Sequence, residues 1–339
     1  MCSSDLSITL GDPDDDFTLP MFIAMDPPKH DAQRKTVSPI VSPHNLLNLE
    51  PIIRQRAAEI LDTVPVGEEF NWVDKVSIEL TTMTLATLFD FPWEDRRKLT
   101  RWSDVATAST ESGIIESEDQ RRAELFECVD YFMRLWDERV AAPPKNDLIS
   151  MLAHGESTRN MDRMEYLGNL ILLIVGGNDT TRNTISGSIL ALNQNPDQFA
   201  KLRADHSLIP AMVSETIRWQ TPLAYMCRRA TRDIELGGKT IKAGDKVAMW
   251  YVSGNYDERV ITDPYRYNIE RERPRHHMSF GFGIHRCVGN RLAELQLKII
   301  WEEILARFPT IEVTGPPKRA LNSFVRGVEH LPVVIPTRT

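Results

Sequence analysis

A glycine-rich loop with a single cysteine is the segment whose residue types most clearly suggest chemistry. It spans residues 280–289 and reads FGFGIHRCVG, with glycines at positions 281, 283 and 289 around Cys287. These glycines permit tight turns and let the backbone approach a flat ligand closely. A helix is predicted to begin at about Val288, so the sulfur would lie at a helix N-terminus. Free amides and the helix dipole stabilise a thiolate there.

A lone thiolate narrows the choice of metal site. The other cysteines are Cys2, Cys128 and Cys227, all distant in sequence, and the chain contains no CxxC pair. Zinc and iron–sulfur sites need several ligands, whereas one thiolate is what an axial haem ligand requires. The alternative is a buried structural cysteine in a glycine-rich turn. The spacing F-x-x-G-x-x-x-C-x-G favours the haem ligand.

A second unusual segment, residues 176–181, reads GGNDTT and falls in the middle of a predicted long helix. Glycines, an acid and β-branched hydroxyl residues weaken the backbone ladder of a buried helix, so the run suggests a site. A hydroxyl at Thr180 can hold dioxygen and a water, and Asp179 can relay protons. The alternative is a helix kink with solvated polar groups.

Two further pairs have helical spacing. Glu215 and Arg218 form E-x-x-R on one helical face, a pattern that exposed ion pairs share. His30 and Arg34 stand one helical turn apart and could grip a propionate group of haem. A solvated basic face is the alternative for this second pair.

The bulk composition limits the classes of partner. The chain has 339 residues, 42% of them hydrophobic, and a formal charge of −8, which argues against nucleic acid. No signal peptide and no run of 18 apolar residues is present, so we expect no integral membrane span and a cytoplasmic protein.

The elements that must position these residues are mostly helices. Apolar residues recur at three- and four-residue spacings, and a capping-box-like start at Asp162 opens the long helix. The predicted helices are 46–61, 72–88, 119–140, 162–192, 208–219 and 288–307. Short strands are predicted between Tyr225 and Trp250 and around Ile311 and Val333. The predicted class is mainly α with a small β part, in one catalytic domain over residues 1–339.

On the cysteine loop and the GGNDTT segment, the chain closely resembles the cytochrome P450 family, along nearly all of its length. The resemblance implies the multi-helix fold of that family, with haem b bound by the thiolate of Cys287 and dioxygen above the iron beside Asp179 and Thr180. The other residues that it implies for the cofactor are Phe280, Gly283, His285, Gly289, His30, Arg34 and Arg228. It implies a structural cluster of Glu215 and Arg218 with Arg271, or with Arg266 as the alternative.

The reaction implied is insertion of one oxygen atom from O2 into an unactivated C–H bond. No G-x-G-x-x-G follows a predicted strand, so electrons should come from separate proteins. By resemblance these are a ferredoxin and its FAD-containing, NAD(P)H-linked reductase. A basic cluster near the loop could dock the ferredoxin, or be a solvated face; it comprises Arg275, His276, His277, Arg286 and Arg291. Alternatives are a non-catalytic haem protein and a helical binding module without metal.

The strings LPMFIAMDPPKHDAQRK and SFGFGIHRCVGNRLAELQL are similar to the bacterial branch that hydroxylates medium-chain alkanes and fatty acids at the terminal carbon. The expected pocket is apolar, formed by Leu173, Ile174, Leu223, Met226 and Phe324. These side chains would equally suit a terpene or a steroid, or be ordinary core. Only 25 residues precede Asp26-Pro27-Pro28, so the resemblance implies an N-terminally incomplete chain.

Overall fold

The computed structural model describes residues 8–11 and 17–339, and helices dominate this part of the chain. The helices are α1 (Lys29–Val37), α2 (Pro43–Thr63), α3 (Glu79–Phe89), α4 (Arg97–Thr107), α5 (Glu118–Val140), α6 (Leu148–His154), α7 (Arg163–Gln194), α8 (Pro196–Ala204), α9 (Ile209–Gln220), α10 (Tyr251–Asn255) and α11 (Asn290–Arg307). The mainly α class with a small β part is confirmed.

The long helix α7 is the central element of the fold. Its N-cap is Asp162, whose carboxylate accepts from the backbone N–H groups of Met164 and Glu165, both at 2.9 Å. At 1.5 Å per residue the helix is about 48 Å long. It packs against α3, α4, α5, α9 and α11. The prediction of one helix crossing the molecule is therefore confirmed.

The strands are short and antiparallel. They are β1 (Glu69–Asn71), β2 (Met226–Arg229), β3 (Ile234–Leu236), β4 (Lys239–Ile241), β5 (Lys246–Met249), β6 (Glu312–Val313), β7 (Lys318–Arg319), β8 (Val328–His330) and β9 (Pro332–Val334). One sheet has the order β1-β9-β6, and the pairs β2-β5, β3-β4 and β7-β8 form ribbons. In β2-β5, Met226 pairs with Met249 and Arg228 with Val247. This register directs Met226 and Arg228 to the same face of the ribbon.

Several helices differ from the sequence prediction. The segment predicted as one helix over 72–88 begins with a π-helix at Val73–Ile78 before α3. The helices α4, α6, α8 and α10 are not among the predicted helices. Helix α4 carries four charged residues, and α8 starts at Pro196, directly after the end of the long helix.

A large apolar core joins the helices. It includes fully buried Trp72, Trp102 and Trp301 and runs along both sides of α7. Among the described residues, no helix is long and apolar enough to cross a membrane.

Candidate active site

A cavity of about 1480 Å³ lies between α7, the cysteine loop and the chain on either side of α1. It brings together segments far apart in sequence. Gly176, Gly177 and Thr180 of α7 line one side, and Phe280, Cys287 and Gly289 line another. The two segments that the sequence analysis selected therefore face one cavity.

The cysteine loop folds back on itself. The Cys287 N–H donates to the Phe280 carbonyl at 2.8 Å. Gly281 has a φ of +66° and lines the cavity; a Cβ there would lie 3.0 Å from the Tyr251 hydroxyl oxygen. Gly283 also has a positive φ, +73°, but does not line the cavity. It therefore shapes the turn without facing the cavity itself.

Burial raises the pKa of the Cys287 thiol above its usual range. The Gly289 N–H and the charges of Arg34 and Arg286 act in the opposite direction and lower it, but burial dominates. The sulfur faces the cavity and is accessible from it. Coordination to a metal would itself deprotonate the thiol.

Basic side chains gather at one edge of the cavity. His30, Arg34, Arg228 and His285 all line it. The rings of His30 and His285 lie 4.3 Å apart in an edge-on contact. Burial, followed by the charge of Arg228, lowers the pKa of His285 to about 4. Such crowding of basic groups favours an anionic ligand between them.

Two histidine ring nitrogens without hydrogen-bond partners support the presence of a bound group at this edge of the cavity. His30 is fully buried and its Nδ1 lies 2.7 Å from Asp31 Oδ1, yet its Nε2 has no partner, and neither does His285 Nδ1. Buried polar atoms without a hydrogen-bond partner are rare in folded proteins, so these two nitrogens point to a bound group. Haem fits this chemistry, since it offers iron to Cys287 and two carboxylates to the basic edge.

A buried ionic cluster lies between α9 and the loop before Cys287. Arg218 donates from Nε and Nη2 to the two carboxylate oxygens of Glu215, at 2.7 and 2.8 Å. Arg271 Nε donates to Glu215 Oε2 at 2.8 Å. Arg271, and not Arg266, is therefore the third member; Arg266 contributes only its carbonyl. Arg218 Nη1 also donates to the carbonyls of Asn255 and Pro264, so the cluster ties this loop to α9.

Asp179 lies in a second buried cluster, against α4. Its carboxylate accepts from Ser103 Oγ at 2.8 Å and from Thr107 Oγ1 at 3.3 Å. Arg182 Nη2 lies 3.1 Å from Asp179 Oδ1 and 2.5 Å from Asp104 Oδ1. Asp179 is fully buried and does not line the cavity, whereas Thr180 does. Thr180 therefore lines the cavity while Asp179 lies in the buried cluster, and the role of Asp179 in relaying protons stays a prediction.

The apolar wall of the cavity contains four of the five side chains expected there, namely Leu173, Leu223, Met226 and Phe324. Ile174 is fully buried and does not line the cavity. Its assignment to the pocket is corrected, because this side chain is buried in the apolar core around α7.

Sequence reasoning missed the α4 side of the site. Ser103 and Thr107 reach Asp179, and Asp104 reaches Arg182, only because α4 packs on α7. The sequence did carry a signal for Arg182, because it follows Asp179 by three residues on the same helix. It carried no such signal for the three α4 residues, because helix α4 itself was not predicted.

The geometry agrees with comparisons to known proteins. Residues 20–329 match the cytochrome P450 family. The chain is 36% identical to linalool 8-monooxygenase of Pseudomonas putida over 93% of its own length and 77% of that protein. It is 34% identical to a steroid C26-monooxygenase of Mycolicibacterium smegmatis, over 91% and 72% of the two chains.

A solved structure is closer in sequence than these two relatives. Cytochrome P450-153 from Novosphingobium aromaticivorans superposes with a TM-score of 0.91 and 49% identity, covering 98% of this chain and 84% of that one. The fold and site define a haem-thiolate protein. The chain belongs to the cytochrome P450 family, and it is a monooxygenase whose cofactor is haem b.

Proposed function

We propose that this monooxygenase hydroxylates the terminal carbon of medium-chain alkanes or fatty acids. The observation that carries the proposal is the apolar wall beside Thr180, formed by Leu173, Leu223, Met226 and Phe324. Such a wall gains free energy by covering hydrocarbon. The resemblance of residues 19–35 and 279–297 to terminal hydroxylases supports the same substrate class.

Few charged residues line the cavity away from its basic edge. Glu111, Glu118 and Arg121 line the cavity away from the basic edge. Arg121 Nη1 lies 2.9 Å from Glu118 Oε2, and Arg121 also donates to the Ala108 carbonyl. Because the charge of Arg121 is already balanced, an uncharged chain should enter at least as readily as a carboxylate.

Haem, when bound, supplies the site for dioxygen and the redox chemistry that inserts one oxygen atom into a C–H bond. Cys287 would hold its iron, and Phe280 would pack beside the sulfur. His30, Arg34, Arg228 and His285 would hold the propionates at the basic edge of the cavity, with Gly281 and Gly289 giving the flat ligand close access to the backbone.

The chain's own residues would manage protons on the opposite side. Thr180 lines the cavity and would hydrogen-bond to dioxygen and a water. Asp179 would supply protons from its buried cluster. The surrounding apolar wall excludes other water, which limits loss of reducing equivalents.

Electrons would arrive from a ferredoxin and its FAD-containing, NAD(P)H-linked reductase. Arg275, His276, Arg286 and Arg291 are exposed near the cysteine loop and would form the docking face. His277 adds no positive charge to this face. Burial, followed by the charges of Arg218, Arg286 and Arg275, lowers its pKa to about 4. It is neutral at physiological pH.

The test combines binding and product analysis. Octane, lauric acid and limonene are titrated into the haem-loaded protein, and the spin-state change of the Soret band is recorded. Turnover with ferredoxin, reductase and NADH is then analysed by gas chromatography and mass spectrometry. We expect octane or lauric acid to bind and to yield the terminal alcohol.

Terpenes and steroids are the alternative substrates, favoured by the names of the two curated relatives. Limonene bound and oxidised in preference to both linear chains would overturn the proposed substrate class. Oxidation of octane mainly at interior carbons would overturn terminal selectivity.

The ligand role of Cys287 has its own readout. The Cys287→Ala variant should lose the red-shifted carbon-monoxide band that reduced thiolate-ligated haem gives. Cys128→Ala is the matched control, because Cys128 is fully buried in the core and does not line the cavity. That control should keep the band. An unchanged band in Cys287→Ala would contradict the assignment.

A further inference from the structure

Tyr251 places a hydroxyl group in the cavity that none of the roles described above uses. It is the first residue of α10, is partly buried and lines the cavity. Among the described residues, its hydroxyl has no hydrogen-bond partner. The other tyrosine that lines the cavity, Tyr225, differs, because its hydroxyl accepts from the Leu10 N–H at 3.3 Å. A tyrosine hydroxyl inside a protein usually has a partner, so Tyr251 points to a bound group.

The backbone around Tyr251 is held in place at both ends of α10. The Val252 N–H donates to the Ala224 carbonyl at 3.1 Å, which ties the helix to the chain just before β2. At the other end, Asn255 Nδ2 donates to Ser279 Oγ at 2.9 Å, directly before the cysteine loop. The tyrosine is therefore anchored between β2 and the cysteine loop.

Gly281 lets the Tyr251 hydroxyl approach the backbone of the cysteine loop. A Cβ at Gly281 would lie 3.0 Å from the hydroxyl oxygen of Tyr251 and 3.6 Å from its Cζ. Arg228, at the basic edge of the cavity, and Cys287 are the charged groups that act on the phenol. The hydroxyl thus lies in the part of the cavity that is surrounded by the residues proposed to hold haem.

The Tyr251 hydroxyl stays protonated at physiological pH. Burial is the largest influence and raises the pKa of the phenol; Arg228 lowers it, and Cys287 adds a smaller rise. A neutral phenol presents one O–H donor. Tyr251 can therefore donate to an anion without adding charge to the basic edge.

The basic edge leaves acceptor positions on the two propionates of haem unfilled. Two carboxylates offer about eight lone-pair sites. His285, with a pKa lowered to about 4, is neutral and can give at most one N–H. Arg228 Nη1 donates to the Cys227 carbonyl at 2.7 Å, and Arg34 Nη2 donates to the Arg286 carbonyl, so part of each guanidinium is already engaged. A further donor at this edge would have a free acceptor to bind.

We propose that Tyr251 is a further haem-binding residue, whose hydroxyl donates a hydrogen bond to a propionate beside Arg228. A hydrogen bond to a carboxylate is stronger than one between neutral groups, so this contact helps to retain and orient the cofactor. The inference rests on the haem site proposed above and is independent of the proposed substrate class.

The first test reads the propionates directly and needs no turnover. Resonance Raman spectra of the haem-loaded ferric protein are compared for the wild type, Tyr251→Phe and Arg228→Gln. Phenylalanine keeps the ring against Gly281 and removes only the hydroxyl. We expect the propionate bending bands to shift in both variants, and the iron–sulfur stretching band to stay unchanged in Tyr251→Phe. A shifted iron–sulfur band with unchanged propionate bands in Tyr251→Phe would assign the hydroxyl to the sulfur and overturn the proposal.

The second test measures how firmly haem is held. Transfer of haem to excess apomyoglobin gives its dissociation rate, which should rise about tenfold in Tyr251→Phe, the low end of what a hydrogen bond to a charged group contributes. Both proteins are then reconstituted with the dimethyl ester of haem, whose propionates carry no charge. The two rates should become roughly equal, because the charge that strengthens the bond is gone. An equally large difference with the ester would contradict a bond to a propionate.

Tyr256→Phe is the matched control. Tyr256 follows α10 directly and does not line the cavity, and its hydroxyl donates to the Trp219 carbonyl at 2.8 Å. This variant should keep the propionate bands and the haem dissociation rate of the wild type. If Arg228→Gln shifts the bands while Tyr251→Phe behaves like the control, the role of Tyr251 is refuted and the proposed haem site stands. If neither Arg228→Gln nor Tyr251→Phe shifts them, both proposals fail.

Discussion

At the scale of single residues, His277 shows how position changes the meaning of a basic side chain. It lies among Arg218, Arg275 and Arg286, and its ring packs 5.4 Å from that of Phe280. Burial and these charges lower its pKa to about 4, against 6.5 for an ordinary histidine. Protonation of the folded protein at this position is therefore suppressed.

This shift predicts an acid-dependent loss of stability. Between pH 6.5 and pH 4 the unfolded chain binds a proton at His277 that the folded chain does not, so the free energy of unfolding must fall as pH falls. His277→Asn should flatten this part of the profile, measured by urea denaturation at pH 7, 6 and 5. The exposed neighbour variant His276→Asn should keep the slope of the wild type, and equal slopes in all three proteins would contradict the prediction.

The site residues that were predicted from the sequence share one property. Each belongs to a pattern of spacing within a single loop or helix. Cys287 and Glu215 with Arg218 were found in this way, since their partners lie within a loop or one helical turn. Thr107 and Asp104 could not be found, because their contacts with Asp179 and Arg182, respectively, exist only once two helices are packed. A residue's role in the second case depends on a surface that periodicity does not encode.

At the scale of elements, α7 is contacted closely where the chain before α1 crosses it. The Phe22 N–H donates to Asn169 Oδ1 at 2.9 Å. A Cβ placed on Gly168 would lie 2.1 Å from the Pro20 carbonyl oxygen. Leu19, Pro20 and Met21 line the cavity, so this crossing sets the position of part of its wall.

We predict that Gly168→Ala separates this segment from α7. The added methyl group meets backbone atoms, which cannot rotate away. The free energy of unfolding should therefore fall by about 1–3 kcal/mol, despite the better helix propensity of alanine. Substrate binding should weaken in parallel, as measured by spin-state titration. Gly187→Ala is the comparison, because its Cβ would meet the Gln220 side chain and not backbone. A smaller loss in Gly168→Ala than in Gly187→Ala would contradict the argument.

The elements themselves were predictable to differing degrees. The capped, strongly apolar α7 and the short strands between Tyr225 and Trp250 were predicted from local pattern. The π-helix at Val73–Ile78 was not, because its register depends on packing against α7. Helix α4 was missed because its exposed charged residues mask the helical spacing of its buried residues Leu99, Trp102 and Val105.

At the scale of the whole molecule, the cavity is a product of long-range assembly. Its walls come from the chain before α1, from α7, from the β2 strand and from the cysteine loop. The sequence indicated the two ends of the site, at Thr180 and Cys287, but not the distance or the shape between them. Those depend on how far the Glu215 cluster holds the loop from α7.

The accessibility of the Cys287 sulfur from this cavity has a practical consequence. Cys128 and Cys227 are buried, and burial raises the pKa of each thiol. In a Cys2→Ser background, a maleimide dye should therefore label the cofactor-free protein mainly at Cys287, faster at alkaline pH because the pKa of this thiol is also raised. Haem seated on the sulfur should block the reaction. Dye uptake, read by mass spectrometry, would then count the fraction of molecules in a preparation that never acquired their prosthetic group.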